Sequence, residues 1–394
     1  MSTLTSPTQG TPSARQMAHF APTLVAWQAE HGRHHLPWQR TQDPYHVWLS
    51  EIMLQQTQVS TVLDYFERFL AALPSVVALA AAPQEQVMAL WAGLGYYSRA
   101  RNLHRCAQEV VARFGGEFPP TAAQLETLPG IGPSTAAAIA SFCFGERISI
   151  YDGNVKRVLS RLLAFDGDLS GGAANKLLHA HAQALVVGSG QAMAMPRYTQ
   201  GLMDLGATVC HLKAPNCGRC PVREMCAAHA ADEAARYPIK TKRIKRTSER
   251  WYLLLLDKGD AVWLQQRGDA GIWGGLQAPL VFSALADMAR WLQLHGGMLA
   301  VSGPSQVSPI SQVFGASPEL QALQLSDLVQ PTIKHQLTHK ELFLTPVVVP
   351  VAQAAGPLGV GEAGEQYVGA WVDKSQLAQA ALPAPIKKWL LAAG

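Results

Sequence analysis

The hydrophobic pattern divides the chain in two. From about Arg15 to Ala228, apolar residues recur at the three- and four-residue spacing of amphipathic helices, broken by short turns. In YYSRARNLHRCAQEVVARFGG, Leu103, Cys106, Val110, Val111 and Phe114 make one stripe, which stops at Gly115. DPYHVWLSEIMLQQ opens with an Asp43 cap and Pro44 in the first turn. PSVVALAAAPQEQVMALWAGLG reads as two short helices, the second closed by Gly93. Thr121 and Gln124 form a capping box at the start of TAAQLETL. Roughly ten helices joined by short turns predict an all-α bundle over residues 15–228.

After Trp251 the pattern changes. WYLLLLD and AVWLQQR read as paired strands around Lys258, Gly259 and Asp260, ALADMARWLQLHG as a helix, and LFLTPVVVPV as a further strand. Residues 251–394 are therefore expected to form an α+β domain, and no internal repeat is evident. Between the two lies RYPIKTKRIKRTSER, within a basic linker over residues 229–250. It carries Lys240, Lys242, Arg243, Lys245, Arg246 and Arg250. A solvated charge run and a phosphate-contacting linker both fit it. Residues 1–14 are rich in Ser, Thr and Pro and read as a disordered lead with no apolar signal core.

Composition narrows the class. A chain of 394 residues is too long for one ordinary core, and its 48% hydrophobic content is ample for two. A net charge of +4 permits a nucleic-acid partner without demanding one. No run of about 18 apolar residues predicts a membrane span, so a cytoplasmic monomer is expected. Cys106 and Cys143 stand alone in helix-like stretches. Cys210, Cys217, Cys220 and Cys226 fall within 17 residues as C-x6-C-x2-C-x5-C. Four thiolates at such spacing can bind zinc or a [4Fe–4S] cluster. A single C-x2-C pair inside one compact loop favours the cluster over a zinc ribbon, which brings two such pairs from two turns.

LPGIGPST, Leu128 to Thr135, packs two glycines and two prolines into the entrance of an alanine-rich helix. Gly130 and Gly132 let the backbone turn tightly and approach something closely, and the helix then points free N–H groups at it. That is the layout of a helix-hairpin-helix, here about residues 122–143, which grips DNA phosphate without reading sequence. An ordinary corner in a bundle has the same local form. Twenty residues beyond Gly132 stands YDGNVKRVLSR, where Asp152 precedes a helix carrying Lys156, Arg157 and Arg161. Asp152 serves there either as a helix cap or as a carboxylate meeting positive charge that develops in a reaction.

LPGIGPST, YDGNVKRV and the four-cysteine loop together resemble the helix-hairpin-helix DNA glycosylases of the endonuclease III-like group. Within it, WLSEIMLQQTQV, LWAGLGYYSRARNLH and MDLGATVC resemble the MutY adenine DNA glycosylases. The motifs run from about Leu36 to Cys226. The resemblance implies removal of adenine mispaired with 8-oxoguanine or guanine in double-stranded DNA, and nucleoid association when bound. Glu51 matches the family's general acid, expected at adenine N7. Its apolar frame would raise its pKa and keep a proton available. Asp152 matches the carboxylate that stabilises the sugar cation, and Asn154 a position that arranges the site. Ser134 stands where strand-cutting relatives carry the Schiff-base lysine, so a monofunctional enzyme is implied. Gln55, Gln56, Thr57 and Tyr96 match positions near the flipped base and its partner. From spacing alone, Tyr96 reads as a helix-start core aromatic. Arg99, Arg101 and Arg105 read as a solvated or phosphate-facing side.

YLLLLDKGDAVWLQQR and GIWGGLQAP resemble a Nudix domain, yet the carboxylate box that binds metal for pyrophosphatase chemistry is absent from the sequence. In the family a Phe-Ser-His loop recognises 8-oxoguanine. KHQLTHKEL is the matching stretch, with Leu337 for Phe, Thr338 for Ser, and His339 retained. His34 stands where some relatives carry Lys and reads as an exposed loop residue. Two other readings compete: a lyase on oxidised pyrimidines, opposed by Ser134, and a non-catalytic iron–sulfur DNA-binding protein, opposed by Glu51 and Asp152.

Overall fold

The computed structural model describes residues 10–188, 190, 193–242, 245–268, 270–295, 299–302, 307–309, 325, 327–351, 353–354 and 369–392. The disordered lead expected over residues 1–14 falls mostly on residues 1–9, outside those described. Ser13 already caps the first helix. Contacts divide the chain into two units: Met1–Ala82 with Asn102–Arg243, and Pro83–Arg101 with Ile244–Gly394.

Twelve α-helices lie between Ala14 and Ala230 among the described residues, two of them single turns of four residues. The first, Ala14–His31, starts with a capping box: Ser13 Oγ accepts from Gln16 N at 3.2 Å and Gln16 Oε1 from Ser13 N at 2.8 Å. Gln16 is buried and its amide also donates to Leu162 O (2.8 Å) and Met225 O (2.9 Å). This helix packs Phe20 and Leu24 into the main core of the first unit, with Ala137, Ala138, Val155, Val158, Leu159, Leu185, Tyr198 and Leu202. Helix Pro133–Phe144 is buried from Thr135 to Ser141. Its alanines present little bulk, so neighbouring helices approach its backbone closely.

Helix Gly153–Leu162 connects this core to the cysteine loop. Its two arginines are buried. Arg157 donates to Cys210 O (2.8 Å), Gly206 O (2.7 Å) and Asn154 Oδ1 (2.9 Å). Arg161 is 2% exposed. It donates to Ala234 O (2.7 Å), Tyr237 O (3.2 Å), His211 O (2.6 Å), Leu212 O (2.9 Å) and Cys210 Sγ (3.2 Å). A loop this short cannot pair its own carbonyls in regular structure, and the guanidinium does so instead.

The second unit is built on a seven-stranded sheet. Strand Thr247–Asp257 turns through Lys258–Asp260 into Ala261–Gln266, with Lys258 N donating to Ala261 O at 3.0 Å. Its long partner is Lys340–Pro350, which runs parallel in register from Thr247↔Lys340 to Asp257↔Pro350. The strand expected at LFLTPVVVPV is thus longer than its apolar run, and the strand expected from Trp251 begins at Thr247, inside the basic stretch. Ile333–Gln336 and Gly369–Asp373 form the two ends of the sheet path. Helix Leu285–His295 packs Met288, Ala289, Trp291 and Leu292 against Leu254, Leu256, Val347 and Val349. Segment Pro83–Arg101, helical in pattern, groups with this unit.

Arg161→Met keeps the bulk of the side chain and strips the donors from the cysteine loop. It is expected to destabilise the protein by about 3–5 kcal/mol, the scale for breaking a buried charged network. Urea unfolding followed by far-UV circular dichroism measures this.

Candidate functional site: two carboxylates beside a glycine hairpin

Helix Pro44–Leu54 carries Glu51. Asp43 caps it, Oδ1 accepting from Tyr45 N at 2.8 Å, and Trp48, Leu49, Ile52 and Met53 anchor it in the core. Those anchors hold Glu51 half-buried at the wall of a cavity also lined by Arg33, His34, Trp38, Gln39 and Gln200. Burial pushes the Glu51 carboxyl up to about 8, and the charge of Asp152 adds to the effect. The carboxyl is therefore protonated at neutral pH. His34 is exposed, as its sequence context suggests, yet it belongs to this cavity wall.

Asp152 caps helix Gly153–Leu162, its Oδ1 accepting from Val155 N at 2.8 Å. Cap and proximity to Glu51 occur together: a carboxylate has further lone pairs besides the one spent on the cap. Ser134 Oγ accepts from Tyr151 N at 3.3 Å, which ties the hairpin helix to the residue before Asp152. Asn154 bonds Arg157 and packs against Gly206, where an added Cβ would lie 2.8 Å from Asn154 Cβ. Gln55 Nε2 reaches Thr135 Oγ1 at 3.4 Å. Gln56 follows with φ of 58°, so the chain turns sharply there, and Thr57 N closes the turn on Leu54 O at 3.3 Å. The sequence motifs around Glu51, LPGIG and Asp152 thus meet in the first unit.

The two hairpin glycines have different reasons. Gly130 has φ of 76°, and a Cβ there would meet Asn102 Cβ at 2.7 Å. Gly132 has φ of −91° and open space where a Cβ would go. It forms the cap of helix Pro133–Phe144 without a side-chain bond, leaving the first-turn N–H groups facing that space.

The four cysteines line one cavity together with Arg161, Val158 and Leu205. Among the described residues no three Cys, His, Asp or Glu donors converge as a single metal ion requires.

In the second unit Tyr96 departs from the core position expected of it. It has φ of 50° and is 44% exposed. Its neighbour Tyr97 takes the buried place, with its hydroxyl bonded to Gly93 N (3.3 Å) and Leu382 O (3.4 Å). The Tyr96 hydroxyl shares a 2.6 Å hydrogen bond with Thr338 Oγ1. Thr338 and His339 form the tip of the hairpin between Ile333–Gln336 and Lys340–Pro350, closed by Leu337 N on Lys340 O at 2.7 Å. Arg99 is buried, unlike the solvated residue expected. It donates to Leu94 O and Gly95 O, both at 3.1 Å, and Trp91 Nε1 also donates to Gly95 O at 3.2 Å, so side chains satisfy the carbonyls of this tight turn. Arg101 bonds Gly274 O, and Arg105 is exposed on Asn102 Oδ1.

One part of the cavity wall was not anticipated from sequence. Asp204 is wholly buried and holds Arg33 (Nε–Oδ1 2.7 Å) and Gln200 (Nε2–Oδ1 2.9 Å) in place. The signal was present in GLMDLGA, where a lone carboxylate interrupts an apolar stripe; its partner lies 171 residues away.

Residues 49–186 match the HhH-GPD superfamily of base excision DNA repair proteins, and residues 251–392 match the NUDIX domain. The adenine DNA glycosylase of Buchnera aphidicola subsp. Baizongia pistaciae is 32% identical over 330 residues, 83% of this chain and 85% of that protein. The chain belongs to the adenine DNA glycosylase family. The human adenine DNA glycosylase is 43% identical over 223 residues, covering 54% of this chain and 40% of that protein. Among solved structures, a thermostable thymine-DNA glycosylase aligns over 55% of this chain and 98% of its own, at 25% identity and a TM-score of 0.48. The family makes the protein a DNA N-glycosylase, with a helical helix-hairpin-helix region followed by a Nudix-like α+β domain. No helix among the described residues is long and apolar enough to cross a membrane.

Because the Glu51 carboxyl holds its proton to about pH 8 when folded and to about 4.5 when unfolded, its burial costs nothing below pH 4.5 and costs most above pH 8. Glu51→Gln is expected to raise Tm above that of the parent protein at alkaline pH, by the equivalent of a few kcal/mol at most. The gain is expected to vanish at acid pH. Differential scanning calorimetry across that range checks it.

Proposed function

We propose that the protein excises adenine paired with 8-oxoguanine or with guanine in duplex DNA, hydrolytically and without cutting the strand. The observation that carries this is the protonated Glu51 beside Asp152, next to an uncapped hairpin helix. The flipped adenine enters the cavity walled by Glu51, Trp38 and Arg33. Glu51 gives its proton to adenine N7, so the base leaves neutral as the N9–C1′ bond breaks. The Asp152 carboxylate faces the cation that develops at C1′, as in the two-carboxylate logic of glycoside hydrolysis. Water then adds at C1′, losing its proton to the Glu51 carboxylate. Asn154, bonded through Arg157 to the cysteine-loop backbone, keeps the Asp152 end of its helix in position.

Ser134 offers a hydroxyl where an amine would be needed for a Schiff base, which supports the monofunctional reading. Gly130 and Gly132 let the hairpin approach a backbone phosphate, and the free N–H groups behind Gly132 bind it. Gln55, Gln56 and Thr57 serve the gap left by the flipped base. Tyr96, Thr338 and His339 serve recognition of 8-oxoguanine. Their support is the bond between Tyr96 and Thr338 at the hairpin tip.

Cys210, Cys217, Cys220 and Cys226 would hold a [4Fe–4S] cluster. All four line one cavity, where Arg161 donates to Cys210 Sγ at 3.2 Å, and their single C-x2-C pair within one short loop suits a cluster better than a zinc ribbon. A cluster held there would fix the loop through its thiolate ligands.

The test is adenine release from a duplex with adenine opposite 8-oxoguanine, with and without alkali. Base loss with scission only after alkali is expected. Prompt scission, or no base loss from cluster-loaded protein, overturns the reading. The single-turnover rate is expected to fall as pH rises through about 8, following loss of the Glu51 proton. Thr338→Val removes one hydroxyl from the tip. It is expected to reduce the preference for 8-oxoguanine over guanine opposite the adenine by up to about tenfold, the worth of one hydrogen bond. The ratio of single-turnover rate over Kd for the two duplexes measures it.

A further inference from the structure

Among the described residues the Asp152 side chain makes one hydrogen bond, Oδ1 accepting from Val155 N at 2.8 Å. That bond caps helix Gly153–Leu162 but does not set the direction from which the chain enters it. In many helices a staple sets that direction: an apolar side chain just before the cap packs on the fourth helical residue. Here the residue before the cap is Tyr151 and the fourth helical residue is Lys156. Their contact is a cation over a ring, with Lys156 Nζ 4.6 Å from the centre of the Tyr151 ring.

Two further helices reach the same residue. Helix Gly172–Gly188 brings His179, whose imidazole stacks on the Tyr151 ring with centroids 4.8 Å apart and planes 21° from parallel. Helix Pro133–Phe144 brings Ser134, whose Oγ accepts from Tyr151 N at 3.3 Å. The ring also packs against the main core of the first unit. Three helices thus converge on the residue that precedes the carboxylate, two through its ring and one through its backbone. The phenol oxygen takes no part. It is buried and has no hydrogen-bond partner among the described residues. Leaving such a group unpaired costs stability, so the position is held for the ring and not for the hydroxyl.

We propose that Tyr151 is the positioning residue for Asp152: its ring, clamped by Lys156 and His179, sets the direction in which the chain enters the helix. It thereby sets the distance from the carboxylate to C1′ of the flipped nucleotide. The inference rests on Asp152 acting at that sugar. Stabilisation of a developing charge depends steeply on placement, and an error of about 1 Å suffices to cost about a hundredfold in rate. The Ser134 hydroxyl gains a task as well, holding the Tyr151 N–H from the hairpin side.

The test uses the full-length, cluster-loaded protein and two duplexes. Single-turnover adenine release is measured on adenine opposite 8-oxoguanine. Kd is measured on the same duplex with a tetrahydrofuran abasic analogue in place of the adenosine. Tyr151→Leu keeps an apolar side chain and loses the flat ring. It is expected to lower the release rate by about ten- to a hundredfold, with Kd unchanged. Tyr151→Phe keeps the ring and is expected to restore the parent rate. His179→Ala is expected to lower the rate by less, and to add nothing in a Tyr151→Leu background, because it acts through the ring. The charge of Asp152 contributes to holding the Glu51 proton, so Tyr151→Leu is also expected to move the alkaline limb of the rate away from about pH 8. If Tyr151→Leu does not fold, His179→Ala, a half-buried residue on another helix, carries the test. Tyr151→Leu at the parent rate overturns the proposal, as does Tyr151→Phe as slow as Tyr151→Leu. Additive losses for Tyr151 and His179 overturn it too, and so does a Kd that weakens in step with the rate while the limb stays in place. Asp152→Asn in parallel separates the readings. Lost release in Asp152→Asn with a parent rate in Tyr151→Leu overturns the positioning role alone. A parent rate in Asp152→Asn overturns the assignment of Asp152 to the sugar, and no adenine release from the parent protein overturns the excision reading.

Discussion

Two buried arginines on one helix hold the first unit's working parts in a common frame. Helix Gly153–Leu162 is capped by Asp152, which the proposed mechanism sets at the sugar, and near its end carries Arg161, which donates to carbonyls of the cysteine loop. Arg157 lies between and bonds both Asn154 and the loop backbone. A displacement of the loop therefore reaches Asp152 through one rigid rod rather than through a chain of soft contacts. The loop and the Asp152 end of the helix are thereby mechanically tied. The loop is the weight against which the carboxylate is positioned.

The electrostatics of the site follow from asymmetry between its two carboxylates. Glu51 is set in apolar side chains of its own helix and keeps its proton. Asp152 spends one oxygen on a helix cap, accepting from Val155 N. Two carboxylates close together in similar settings would share one proton between them. Here burial keeps the proton on Glu51 near neutral pH. The cavity wall repeats the theme, since Asp204 is buried only because Arg33 and Gln200 reach it.

In the second unit the proposed recognition site joins distant parts of the chain. Tyr96 and Thr338 are separated by 242 residues and joined by one hydrogen bond. The turn that presents Tyr96 is held by Arg99, whose guanidinium sits over the Trp91 and Tyr96 rings while bonding the turn's carbonyls. The hairpin closes through backbone atoms, Leu337 N on Lys340 O, and so without the Leu337 side chain.

The residues whose meaning is local were legible in the sequence by itself. A cap, a proline in the first turn and an apolar frame around Glu51 suffice to predict its helix and its raised pKa. The glycines of LPGIG and the spacing of four cysteines carry their geometry in a few residues. The sequence does not say which way a long side chain points from a helix, so Arg99 turned inward where a solvated or phosphate-facing side was expected, and the burial of Arg157 and Arg161 was not foreseen. Helical periodicity marks the apolar face, and a guanidinium able to satisfy loop carbonyls is buried for reasons that lie in another segment. Parallel pairing of Thr247–Asp257 with Lys340–Pro350 was equally hidden, because no turn joins parallel neighbours to signal it. Only the tertiary structure decided which segments supply partners for Asp204, Tyr96 and the Tyr151 ring, since each interaction links positions that nothing in the intervening sequence ties together.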